Sequence, residues 1–110
     1  MSLDLAVICD LAVSGNVEPR KGDRIFVFSD YKRLQIFIIR IKEILQAREI
    51  PFYLYGNCCF DFKNGVRMIF VVRHSSRWVD MIRGYNVVAW MSDTALEDRE
   101  VEFMNAITRS

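Results

Sequence analysis

Apolar positions along the chain follow two periods. Leu3, Leu5, Ala6, Val7, Ile8 and Leu11 give residues 3–14 one broad apolar face, a spacing that predicts a short helix. Ser14-Gly15-Asn16 supplies its stop, and residues 15–24 read as a polar turn. Ile25-Phe26-Val27-Phe28 is an unbroken apolar run, the pattern of a strand buried on both faces. Ser29 or Asp30 can cap the next element, a helix from about Tyr31 to Arg48. There Leu34, Phe37, Ile38, Ile41 and Leu45 keep helical spacing, and Ile36, Ile39 and Ile44 widen the stripe. So wide a stripe predicts burial against more than one neighbour. Pro51 disfavours helix at Ile50 and marks the exit.

Phe52 to Tyr55 is a second strand, broken by Gly56-Asn57. Cys58 to Phe62 and Val66 to Val72 flank Lys63-Asn64-Gly65, and Asn-Gly between apolar runs signals a hairpin. Residues 73–79 read as a polar loop, and Trp78 to Arg83 as a helical turn closed by Gly84. Val87 to Met91 is a third buried-type strand. Thr94 to Ile107 reads as the last helix, with Thr94 as cap and Glu97 completing a capping box. Strands alternating with helices predict an α/β fold: three layers, a mainly parallel sheet of four or five strands, and one β-hairpin. The 110 residues fit a single domain, 1–110.

Composition changes this picture little. The chain is 52% apolar, enough for a real core. Its net charge of +1 announces neither a nucleic-acid binder nor an acidic mimic. Eleven of the fifteen basic residues are Arg, the side chain suited to bidentate contacts with phosphate or carboxylate. Cys9, Cys58 and Cys59 form a poor disulfide framework. No apolar run approaches the length of a membrane span, and Asp4 and Asp10 argue against a signal peptide. The expectation is a cytoplasmic protein without membrane contact.

Candidate chemistry is sparse. Cys9, Cys58, Cys59 and His74 lack the paired spacing of a metal site. His74 sits among Arg73, Ser75, Ser76 and Arg77 with nothing to orient it as a catalytic base. The phosphate-binding Gly-x-x-x-x-Gly-Lys-Ser/Thr loop is missing. What remains is Asp93 at the end of the run from Val87 to Ser92, at the sheet edge where α/β proteins bind ligands. By itself it is a candidate Mg²⁺ ligand, and no other cofactor is indicated.

In order, these segments resemble part of the ATPase core of phage terminase large subunits and related helicase-type motors. The stretch from Phe62 to Phe70 resembles the family's apolar Asn-Gly-Ser-x-Ile-x-Phe segment. Ile82-Arg83-Gly84 resembles its Ile-Arg-Gly, and Val87 to Asp93 its Walker B strand. The resemblance implies a phage-type, nucleic-acid-associated protein, working in the host cytoplasm. Two departures qualify it. The Walker A loop is absent, and Thr94 stands where the family carries a glutamate base, which Thr cannot replace. Autonomous ATP hydrolysis is therefore not expected.

Three functions follow as expectations. A nucleic-acid surface would use Lys32, Arg33, Arg67, Arg73, Arg77 and Arg83, with Tyr31 and Trp78 for stacking. A protein-binding regulator or inhibitor would use Tyr53, Tyr55, Trp78 and Tyr85 as anchors, or pair with itself through a sheet edge. A metal-dependent nuclease would need Asp30, Asp61, Asp80 and Asp93 to converge.

Overall fold

The computed structural model describes residues 22–56, 59–63, 65–73 and 78–108. The expected helix at 3–14 lies outside them, as do Cys9, Cys58, Asn64, His74 and Arg77. The described elements are β1 (Gly22–Phe28), α1 (Tyr31–Ala47), β2 (Tyr53–Tyr55), β3 (Cys59–Asp61) and β4 (Val66–Val72). A 3-10 turn (Trp78–Ile82), β5 (Val87–Ser92) and α2 (Asp98–Ile107) complete them.

The five strands form one sheet in the order β2-β3-β4-β1-β5. β1 runs parallel to both β4 and β5, while β2, β3 and β4 form an antiparallel meander. The fold is α/β as expected, but the sheet is mixed rather than mainly parallel. The reason is local. Phe52 to Tyr55 is followed almost at once by Cys59, too short a connection for a parallel crossover, so β2 pairs back onto β3. The hairpin at Gly65 then adds β4: the Gly65 N–H donates to Phe62 C=O (3.1 Å) at φ 90°.

β1 is the hinge of the architecture. Ile25 and Val27 point to one face, where they join Ile69, Val71, Trp78, Ile82, Val87 and Met104. Phe26 and Phe28 point to the other, where Leu34, Phe37, Ile38, Ile41 and Leu45 of α1 cover them together with Phe60 and Phe70. The aromatic packing is close: Phe28 and Phe37 centroids lie 5.0 Å apart, Phe26 and Phe70 5.3 Å.

The helix ends follow from capping chemistry. Asp30 caps α1, its Oδ1 accepting the Arg33 N–H at 2.8 Å. At the other end Ile50 N–H bonds Leu45 C=O and Glu49 N–H bonds Gln46 C=O, a Schellman closure with Glu49 at φ 56°. α2 begins later than the expected Thr94. Its N-cap is Glu97, whose N–H donates to the Glu100 carboxylate (3.0 Å). Thr94 instead stays in the turn after β5, its N–H directed to Ser92 Oγ.

The wide stripe of α1 is only partly covered. Ile36 is 48% exposed, Ile39 57% and Tyr31 56%. The expected burial of that stripe against further neighbours is therefore corrected for Ile36 and Ile39: within the described residues the sheet reaches only the Leu34–Leu45 side.

Candidate functional site

The carboxyl ends of β1 and β5 meet, and Asp93 stands at the end of β5. The Asp93 N–H donates to Val27 C=O at 3.0 Å, extending the parallel ladder one step. Its carboxylate then reaches across to the tip of β1. Oδ1 accepts the Ser29 N–H (3.0 Å) and the Thr94 hydroxyl (3.5 Å). Oδ2 accepts the Ser29 hydroxyl (2.9 Å) and lies 3.5 Å from the Arg33 guanidinium. Of the roughly four lone-pair sites of a carboxylate, the two Ser29 donors fill one on each oxygen, with the Thr94 hydroxyl and the Arg33 guanidinium at longer range. The two Ser29 bonds tie the tip of β5 to the tip of β1.

The other acids do not join it. Asp80 pairs with Arg83 (3.0 Å) beyond the opposite end of the sheet, and Asp61 lies on β3. Only Asp30 is nearby, engaged by Arg33 at 3.6 Å. Among the described residues no group of three or more His, Cys, Asp or Glu is placed to hold a metal. The convergence that a nuclease site requires is absent from them.

The basic residues divide into two groups. Lys32, Arg33 and Arg73 stand at the carboxyl end of β1, and Tyr31 is exposed beside them. Arg67 and Arg83 stand at its amino end, roughly 20 Å away along seven strand residues. Arg67 is locked: its Nε and one terminal nitrogen each bond Asp23 at 2.8 Å, a bidentate pair. Tyr55 OH lies 3.3 Å from its other nitrogen, and the Tyr85 ring lies beneath it at 5.2 Å. The bonds to Asp23 and Tyr55 raise the Arg67 pKa further above its ordinary value. Asn86 N–H also donates to Asp23 (2.9 Å). Arg83 bonds Asp80 and lies 5.4 Å from the Phe103 centroid. The described arginines therefore form no single basic face.

Arg73 has a third arrangement. One terminal nitrogen donates to Glu100 Oε1 at 2.7 Å, and the Trp78 indole N–H donates to Oε2 at 2.6 Å. Burial would raise the Glu100 pKa, but the Glu97 N–H, the Trp78 indole and the Arg73 charge outweigh it and hold the carboxyl below its ordinary value. A cleft of about 470 Å³ opens beside this hub, lined by Arg73, Trp78, Val79, Glu97, Arg99 and Phe103 among others.

The expected aromatic anchors also sort out. Trp78 is 2% exposed, so it is a core residue and neither a stacking platform nor a docking anchor. Its polar edge is satisfied by Glu100, which lets so large a ring be buried. Tyr55 and Tyr85 are half-buried around Arg67. Tyr53 is exposed, on the outer strand β2. The residues that sequence reasoning passed over are Asp23, Ser29 and Glu100. Ser29 was readable only as a cap. Asp23 had one usable signal, an acid opening an apolar strand with Arg67 opening another. No family model matches the chain, and neither does any curated protein or solved structure.

Proposed function

We propose that this chain works as a protein-binding domain. The observation that carries the reading is the outward stripe of α1, where Tyr31, Ile36 and Ile39 expose large apolar side chains. A solvated helix face is ordinarily polar. Isoleucines about half exposed on neighbouring turns suit contact with an apolar surface of another protein. The internal pairing of Arg67 and Arg73 supports the same choice, because it leaves those cations little capacity for phosphate. We also read the two apolar clusters, one on each face of β1, as the interfaces of a three-layer domain.

The test is a partner that depends on α1. A stoichiometric protein should co-purify with the chain and be lost with Ile36→Glu/Ile39→Glu, while the thermal midpoint stays within a few degrees because both positions face solvent. No partner, or one retained by that variant, rejects the reading.

A second reading is favoured by one specific observation. Asp93 at the carboxyl end of a strand parallel to β1, bonded to Ser29, is the placement expected of a Walker B relative. On that reading the chain is a phage-type relative of the terminase or helicase ATPase core that binds nucleic acid without hydrolysing ATP. Tyr31, Lys32 and Arg33 would form the contact, in the cytoplasm of an infected host. Binding to DNA at low salt that falls steeply as salt rises, and that Lys32→Ala/Arg33→Ala weakens, supports it. No binding at low salt removes it.

A further inference from the structure

The two faces of β5 are covered differently. On one face Trp90 packs on the cluster that holds Met104 of α2, and its indole N–H donates to Asn105 at 3.1 Å. On the other face α1 packs on β4 and β1, and Ala89 is left exposed. Ala89 stands in register with Arg24, and Met91 with Phe26, so all four side chains share the α1 face. Only Met91 of the two β5 residues reaches the core there.

Arg24 is the odd residue on that face. One of its terminal nitrogens is buried and has no hydrogen-bond partner. Burial lowers its pKa, and no described acid offsets that. A buried guanidinium nitrogen without an acceptor is costly, so the position calls for a carboxylate. The chain carries a matching acid before β1. Residues 3–14, outside the described residues, hold Asp4 and Asp10 and no basic side chain. On helical spacing Leu3, Ala6, Val7 and Asp10 fall on one side, which puts an acid on an apolar stripe. Such a stripe fits an apolar surface that contains one unpaired cation.

We propose that residues 3–14 of this same chain dock as a helix on the α1 face of β5, with Asp10 against Arg24. Reach and length agree with this. Asp23 stands in register with Val87, so β1 begins level with the start of β5. The seven residues 15–21 span at most roughly 24 Å, enough to bring Ser14 back over the sheet. A helix of twelve residues is about 18 Å long, close to the roughly 20 Å of the six-residue β5. Asp10 lies one turn before Ser14, and Arg24 lies two residues into β1, so acid and cation fall at the same end. Ala89, with its small side chain, leaves room for a helix to approach the strand. The docking goes beyond the protein-binding reading and does not rest on it, since it uses none of Tyr31, Ile36 and Ile39.

Amide hydrogen exchange on the full chain at several dilutions tests it. The expected result is that the amides of residues 3–14 are protected, and equally so at every dilution. Ala89→Glu sets a bulky charge on the face and should speed their exchange about tenfold. The β1 and β4 amides should stay protected in that variant, because Ala89 is exposed. Arg24→Glu and Asp10→Lys should each lower the thermal midpoint by several degrees, and the two together should recover most of the loss. Free exchange of residues 3–14 overturns the proposal. Protection that appears only at high concentration also overturns it, since the segment would then sit on a second copy. A double variant no more stable than the weaker single variant overturns the Asp10–Arg24 contact and the docking with it. Protection lost in Ile36→Glu/Ile39→Glu but kept in Ala89→Glu overturns it too, by seating the segment on the α1 stripe.

Discussion

The two ends of β1 solve the same problem with opposite consequences. Each brings an aspartate against an arginine. At the amino end Asp23 is buried and Arg67, 32% exposed, grips it with two parallel bonds at 2.8 Å. At the carboxyl end Asp93 is held chiefly by Ser29, and Arg33, 59% exposed, only approaches it at 3.5 Å. The first arrangement cannot lose its cation without stranding a buried charge. The second can, because two Ser29 donors and the Thr94 hydroxyl remain. One end of the strand is therefore locked and the other adjustable, although their residue types are nearly the same.

Substitutions should separate the ends in a fixed order. Arg67→Ala should cost the most, about 3 kcal/mol, because Asp23 would keep its burial and lose its counter-charge. Denaturant unfolding should show it as a lower midpoint with little change in slope. Asp93→Ala should cost about 1.5 kcal/mol by leaving the part-buried Ser29 N–H without its acceptor, read in the same titration. Arg33→Ala should cost about 0.5 kcal/mol or less, as exposed ion pairs do. An Arg33 effect as large as that of Arg67 would mean the carboxyl end is locked as well, and the contrast would collapse.

Much of this fold was legible because its signals were local and strong. The run from Ile25 to Phe28 gave a strand with two buried faces, and both faces are occupied. The Asn-Gly pair gave the hairpin, and Asp30 gave the α1 cap. What resisted reading depended on distant partners. Periodicity cannot say which side of a stripe meets the sheet, so Ile36 and Ile39 read as buried and are not. Residue type cannot say whether an indole has a buried acceptor, and Glu100, twenty-two residues on, decides that Trp78 is core. The orientation of β2 depended on its pairing with β3, and each of those strands is only three residues long. For the site, the position of Asp93 was readable from the end of an apolar run. Its occupation by Ser29 was not, because the two are 64 residues apart.

The position of β1 also bears on how the molecule assembles in time. Its partners are register neighbours about 44 and 64 residues further along, whereas β2, β3 and β4 pair with strands close in sequence. Loop-closure entropy favours the near pairings first, so the meander is the natural nucleus and β1 must wait for it. During synthesis the chain delivers Ile25 to Phe28 early and β5 late. β1, with its buried Ile25–Phe28 run, thus spends the interval with one flank unpaired, the stage at which such chains are most prone to stick to one another.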